Sequence, residues 1–588
     1  MSKKMVDFSN WIKKNYFILF LVGIFLVGFF LRVFHFSDWL HFELDQSRDA
    51  KVIDLAIEKG PSYLPLLGPR AGGTYLRLGP IFYYMEYLSA LIFGDNPAGM
   101  AVIVLIFSLL SLPLFYLFCR EYFDEKISVS LLAIFSVSLY LVIYARFAWN
   151  PNPLPFFVLL LLFAFLKIID KEQKRKMLWF CVLSASFAIV FQLHFVAMVV
   201  LGLSSLGFLL YTRPKLNWKI WLAGIATFML LFSPVIINDI KTKGENTQEF
   251  FKAITKKSNK HRGSFLEKLG ANYIAHASKY FLILTGRETG SLVKIKIPQN
   301  NLFKADIICK KVKCQNTKGL QLTSLIFFTF SLGLLVQKIR KEKDLKRKKF
   351  LVLIAIFLGA SFVALTPLAK NLAPRFFLFA VPMPFLLLGL ILDFFREKFP
   401  KRQNWVFLIP IVFVLINLYY LVVYFKESSS ATVKAKEVNT EMIISEKSRV
   451  TLELQKKVND YMKSFYQKNG WQIYFSAPAQ YQRSMLYLLE KEKIPANGFK
   501  GDSIGGKIYR QGNYFVVELT LSNLDKAIKK HLGKNFELIE RKEIGNFTVF
   551  HLQPKTEAIN EEVQPQVDQK TIPRRTDIPA RFNWWEVF

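Results

Sequence analysis

The sequence predicts an α-helical polytopic membrane protein of about eleven spans, followed by an α/β domain on the extracytoplasmic side. Three observations carry that prediction. Hydrophobic residues make up 52% of the 588 residues and mean hydropathy is +0.26, which puts the chain in the membrane class. Apolar runs close to the ~20 residues needed to cross a hydrocarbon core recur up to Phe425. Beyond Phe425 hydropathy falls, and strand and helix patterning alternate.

In chain order, the basic start MSKKMVDFSNWIKKNYF leads into an apolar run to Phe34 without a small-residue cleavage site. It reads as a retained first span with its amino end cytoplasmic. The eleven expected spans are 17–34, 97–118, 127–145, 153–169, 177–193, 195–211, 218–237, 320–337, 350–369, 374–393 and 404–425. Only Gln192-Leu193-His194 separates the fifth from the sixth, which demands a tight helical hairpin. Basic residues at Arg120 to Lys126, Lys167 to Lys176, Arg213 with Lys215, Lys338 to Lys349 and Arg396 to Arg402 fall on alternate loops. The positive-inside rule puts those loops with the amino terminus. Loops 35–94 and 238–319, the shorter 146–152 and 370–373, and everything after Phe425 then lie outside. The 238–319 loop is Lys-rich, but loops of that length cross largely regardless of charge.

Residues 1–425 thus form one membrane domain, and 426–553 an α/β domain. Trp471 to Phe475 and Tyr514 to Leu519 read as strands, and Ala479 to Lys491 and Leu524 to Leu532 as helices. Phe536 to Leu552 reads as a hairpin turning at Gly545-Asn546. Residues 554–588 are polar and Pro-containing, a flexible tail that ends in the aromatic RFNWWEVF. A net charge of +34 would suggest nucleic acid in a soluble protein. Here it belongs to basic loops, and no nucleic-acid module is present. Cys119 and Cys181 sit in or beside spans as packing residues. Cys309 and Cys314 share one outer loop, where a disulfide and two separate thiols are both open readings.

The spans carry almost no charge at their centres, which argues against an ion-coupled transporter. Polar residues gather at the outer ends instead: Asp45, Arg48, Asp49, Arg77, Arg146, Asn150, His194 and Arg375 among them. The loop 35–94 concentrates charge, glycine, proline and tyrosine, and a loop so long is functional or disordered. Its aromatic and branched content argues against disorder.

These residues fall into motifs. Leu44-Asp45-Gln46-Ser47-Arg48-Asp49 opens the first outer loop, and Arg77-Leu78-Gly79-Pro80-Ile81-Phe82-Tyr83-Tyr84 lies further along it. Arg146-Phe147-Ala148-Trp149-Asn150-Pro151-Asn152 forms the second outer loop, and Arg375-Phe376-Phe377-Leu378 precedes Pro382 and Pro384. Over residues 10–425 their order resembles GT-C class glycosyltransferases that use polyprenyl-phosphate sugars. That group includes protein O-mannosyltransferases and the aminoarabinose transferases acting on lipid A (bacterial family 39). The resemblance implies a catalytic Asp45, with Gln46 standing where Glu is common and Asp49 where an aromatic is common.

The chemistry implied asks for these residue types. A base must take the acceptor hydroxyl proton, and the phosphate leaving group needs cations rather than an acid. Asp45 would be the base, with Arg77 and Arg375 on the donor phosphate. Arg48, Asp49, Tyr83, Tyr84, Arg146, Asn150 and His194 are substrate-binding candidates. No cofactor is expected; a divalent metal stays open, although a helix through Glu43, Asp45 and Asp49 would turn Glu43 away from the other two. The implied partners are a polyprenyl-phosphate sugar, the bilayer of the plasma membrane and a protein or glycolipid acceptor. Two alternatives stand beside the enzyme: a lipid-linked saccharide flippase or transporter, and a membrane-anchored binding protein.

Overall fold

The computed structural model describes residues 3–255, 264–287, 294–296, 306–308, 317–438, 441–498, 507–529, 535–563 and 579–587. Cys309 and Cys314 lie outside the described residues. All eleven apolar runs are helical along most of their length, and the polytopic fold class is borne out. Seven described helices are long and apolar enough to cross a membrane, or eight when the pair Pro374–Ala380 and Pro382–Lys398, bent by 65°, counts as one. Three shorter apolar helices accompany them, at Phe17–Val33, Ile81–Phe93 and Leu154–Ile169.

The membrane domain begins with α1 (Lys3–Val33), and α2 (Leu44–Lys59) and α3 (Ile81–Phe93) lie in the segment expected to form the first outer loop. Then come α4 (Pro97–Cys119), α5 (Glu125–Val137), α6 (Leu139–Tyr144), α7 (Leu154–Ile169), α8 (Lys176–Leu193), α9 (Phe195–Thr212) and α10 (Trp218–Lys241). Asn96, Asp124 and Asn217 start α4, α5 and α10 by accepting from free backbone amides of the first turn. The run 127–145 is split at Ser138, and the split is satisfied from other helices. Ser138 Oγ donates to Ile283 O at 2.7 Å, and Leu139 N donates to Asn417 Oδ1 at 2.9 Å. α8 and α9 do form the tight hairpin: extended His194 joins them, and its Nδ1 accepts from Ala197 N at 3.3 Å.

One expectation needs correction. The segment 238–319 is more than a loop, because it contains α11 (Glu245–Thr255) and α12 (Phe265–Thr285). α12 is buried almost throughout from Asn272 to Thr285, packed among the helices at Lys318–Lys341, Pro382–Lys398 and Leu408–Ser430. Asn272, His276 and Lys279 interrupt its apolar run, so hydropathy alone passes over it. Each interruption is buried; Asn272 Nδ2, for example, donates to Phe362 O at 2.7 Å.

The basic loops converge at one end of the bundle. Lys167 pairs with Glu121 at 2.5 Å, Lys346 reaches Glu121 and Asp170 at 3.4 and 3.2 Å, and Lys338 meets Asp393 at 2.5 Å. Arg396 also pairs with Asp124. Four loops expected on one side are thus joined there.

At the other end sits the α/β domain. A small ribbon pairs β1 (Lys294–Lys296) with β2 (Asp306–Ile308) earlier in the chain. The domain's own sheet has the order β4-β3-β5-β7-β6. β3 (Gln472–Ser476) lies parallel to β4 (Ala496–Gly498) and to β5 (Gly512–Leu519); β6 (Phe536–Ile544) and β7 (Phe547–Pro554) complete it antiparallel. Helices Leu452–Asn469 and Ala479–Lys491 cover one face, burying Val458, Met462 and Met485 against Ile473, Phe515 and Val549. The hairpin tip requires glycine. Gly545 has φ 54°, and a Cβ there would meet Ala431 O at 1.9 Å, at the end of helix Leu408–Ser430.

The domain also clamps the first outer loop. Leu452 N and Glu453 N donate to Leu40 O and Asp38 O at 3.0 Å each, and Gln455 Nε2 donates to Phe42 O at 2.7 Å. The expectation of a free tail over 554–588 fails for 579–587. Leu66 N donates to Phe582 O at 2.8 Å, Trp584 N donates to Leu64 O at 3.2 Å, and Asn238 Nδ2 donates to Ala580 O at 3.0 Å. Aromatic side chains that looked fit for a lipid interface are docked on the first outer loop.

Candidate active site

α2 starts where it does because Glu43 is extended and its amide donates to Gln46 Oε1 at 3.0 Å. That puts Asp45 in the first turn, where the helix dipole favours a carboxylate. One turn on, Arg48 returns to it, donating from a terminal nitrogen to Asp45 Oδ1 at 2.8 Å. The same guanidinium donates from Nε to Asp49 Oδ1 at 2.7 Å. The two carboxylates differ sharply in setting: Asp45 is 44% exposed and Asp49 is fully buried. Burial pushes the Asp49 carboxyl above the usual carboxylate range, against the pull of Arg48.

The second outer loop completes the hold on Asp45. Trp149 Nε1 donates to Asp45 Oδ2 at 3.2 Å, and Tyr144 and Phe147 lie nearly parallel to its ring. Asn150 Nδ2 donates to Leu193 O at 2.8 Å, which fastens this loop to the α8–α9 turn. Tyr140 OH, on α6 just before this loop, donates to Pro374 O at 2.7 Å in the segment that carries Arg375. Arg375 is exposed, its guanidinium 5.7 Å from the centre of the Phe376 ring, and Phe376 meets His194 edge-on at 6.4 Å. Burial of the His194 ring, helped by Arg375, draws its pKa down to about 4. With Nδ1 accepting from Ala197, the neutral ring carries its proton on Nε2 as a donor.

The structure therefore brings Asp45, Arg48, Asp49, Asn150, His194 and Arg375 to one set of joined outer loops. Arg146, Arg77 and Tyr84 are engaged elsewhere. Arg146 is buried at the end of α1, donating to Arg32 O and His35 O at 3.0 Å each, with Phe425 under its guanidinium. Arg77 donates to Pro579 O at 3.3 Å, and Asn246 brackets its backbone. Tyr84 OH donates to Pro65 O and accepts from Trp584 Nε1. Both belong to the docking of 579–587. Tyr83 is fully buried beside Asp49, and the charge of Arg581 reaches its hydroxyl. Trp149 and Arg581 were not foreseen as site residues. An indole N–H in a polar loop motif needs an acceptor and could have pointed to Trp149; nothing in the sequence pointed to Arg581.

Residues 78–238 match the family model described as dolichyl-phosphate-mannose-protein mannosyltransferase. No curated protein matches the sequence. Among solved structures, the chain is similar to ArnT from Cupriavidus metallidurans in the apo state, with a TM-score of 0.54 and 12% identity over 94% of this chain and 100% of that one. The same protein bound to undecaprenyl phosphate gives a TM-score of 0.51 and 11% identity, over 94% and 99% of the two chains. At such identity the likeness shows the fold alone, which is the one ArnT has.

Proposed function

From the premise that this multi-pass membrane protein shares its fold with ArnT, we propose that it is a GT-C glycosyltransferase that transfers a sugar from a polyprenyl-phosphate donor to an acceptor hydroxyl at its outer face. The observation that carries this reading is the setting of Asp45. It is a half-exposed carboxylate with each oxygen held by a donor, one from Arg48 and one from Trp149. The bound donors orient it, and its exposure leaves it open to substrate.

Asp45 takes the proton of the acceptor hydroxyl as that oxygen attacks the anomeric carbon from the side opposite the phosphate. The bond from that carbon to the phosphate oxygen breaks, the phosphate leaves with the electron pair, and the anomeric centre is inverted. Arg375 and the Nε2–H of His194 meet the charge that develops on the phosphate. Arg77 contributes by fixing segment 579–587 against the first loop. Catalysis uses no metal in this scheme, because Asp49 is buried on Arg48 and Glu43 turns to other partners. Membranes supplied with labelled polyprenyl-phosphate sugars test the reading. Label should reach a protein or glycolipid with the wild-type chain and stay on the donor with Asp45→Asn. Label that crosses the bilayer still attached to its lipid, in both, would instead favour a flippase.

A further inference from the structure

At the end of the bundle opposite Asp45, the connection between the last two membrane helices leaves an open groove. Pro400 cannot continue helix Pro382–Lys398, and Phe399 before it is already non-helical, with φ −122° and ψ 63°. The chain turns aside through the short 3-10 segment Pro400–Phe407, held by Arg402 N donating to Phe399 O at 2.9 Å. Helix Leu408–Ser430 begins only after that detour. Beside the detour lies a groove of about 570 Å³, lined by Phe395, Phe399, Arg402, Trp405, Val406 and Ile409. Its walls are aromatic and aliphatic, and Arg402 brings the charge.

The rim is basic. Lys398 holds its ammonium 5.8 Å from the centre of the Phe399 ring, and Lys398, Lys401 and Arg402 are all exposed. The acids nearby are taken by other cations: Asp393 and Glu397 hold Lys338, and Asp124 pairs with Arg396. Among the described residues, none of Lys398, Lys401 and Arg402 forms an ion pair. The surface around the groove is equally specific. Trp405 is 70% exposed and Phe399 48%, and Leu408, Ile411, Val412 and Leu415 carry the exposed apolar surface on along the next helix. Both helices that flank the groove belong to segments apolar enough to span a membrane. An exposed tryptophan among cations at the end of a span suits the headgroup level, where an indole favours the interface and lysine or arginine meets phosphate.

We propose that this groove binds one phospholipid with an anionic headgroup. The Arg402 guanidinium offers its phosphate parallel N–H donors, and Lys398 and Lys401 add charge around it. An acyl chain lies against Phe395, Val406 and Ile409. A free inorganic anion has no use for such apolar walls, and an acidic soluble protein would have to enter the bilayer to reach them. The bound lipid bridges the ends of the last two membrane helices. The site is remote from Asp45 and does not depend on the transfer reaction proposed above.

The test offers the full-length protein in detergent either phosphatidylglycerol or phosphatidylcholine with the same acyl chains, and counts retained lipids by native mass spectrometry. One phosphatidylglycerol per chain should stay bound where phosphatidylcholine is lost, and the melting midpoint should rise with it. Arg402→Gln and Lys398→Gln should each weaken retention by about tenfold, the loss of a hydrogen bond to a charged group. Both side chains are exposed, so the lipid-free melting midpoints should stay with wild type. Lys343→Gln removes an exposed cation from another loop at the same end and should leave retention unchanged. Equal retention of the two lipids overturns the proposal, as does a loss with Lys343→Gln as large as with Arg402→Gln, the mark of diffuse attraction. Displacement of the lipid by inorganic phosphate at the same concentration overturns it too, and so does a dimer that Arg402→Gln splits, which would put a second copy in the groove.

Discussion

Two carboxylates share the Arg48 guanidinium, and their surroundings make them respond differently to substitution. Asp45→Asn removes the proposed base from a half-exposed position, so transfer should fall about 10²–10⁴-fold while donor binding and melting temperature hardly change. Arg48→Gln instead leaves Asp49 buried without its cation, and should cost about 3–5 kcal/mol of stability, read as a lowered melting midpoint. Arg375→Gln touches neither and should weaken donor affinity by about 1.5–3 kcal/mol, the worth of a hydrogen bond to a charged group; isothermal titration with a polyprenyl phosphate measures it. The Asp45, Arg48 and Asp49 relation could be read from the sequence because a helix brings i+3 neighbours together. Arg146 could not be placed that way. An arginine at a span end looks the same in sequence whether it snorkels, binds substrate or, as here, caps another helix from within.

At the scale of elements, the long apolar runs announced themselves by composition, whereas α12 did not. Its polar residues are buried in contacts that only tertiary structure supplies, such as Asn272 on Phe362 O. The matching device on another helix is Asn417, which donates to Leu284 O at 2.6 Å and accepts from Leu139 N, joining α12 to the break between α5 and α6. The strands and the hairpin of the α/β domain were readable because strand alternation and a Gly-Asn turn are local signals. The contact of that turn with the last membrane helix was not local. Gly545→Ala should therefore destabilise the protein well beyond the ~1 kcal/mol expected of a left-handed residue alone, since the new Cβ meets the backbone at Ala431. Limited proteolysis between 431 and 450 should speed up in parallel.

At the scale of the molecule, the α/β domain, the first loop and segment 579–587 form one packed body above the helices. The domain leans on Asp54, which accepts from Tyr487 OH at 3.2 Å and Lys491 Nζ at 3.0 Å. Burial and neighbouring Asp95 raise the Asp54 pKa to about 6, against the pull of Lys491. A carboxyl whose folded pKa is raised lends stability below its ordinary pKa of about 3.9 and loses it as pH rises through 6. The melting temperature of wild type should fall relative to that of Asp54→Asn over that interval. A reporter active only after export, fused at Ser430, should be active if this body lies outside the membrane as the charge pattern predicts. The docking of 579–587 also sets a timetable for synthesis. Leu66 leaves the ribosome long before Phe582, its hydrogen-bond partner. At ~5–20 residues per second, the wait lasts roughly half a minute to two minutes. Throughout it Leu66 N waits for this acceptor, and a chain whose translation stops short of Phe582 never supplies it.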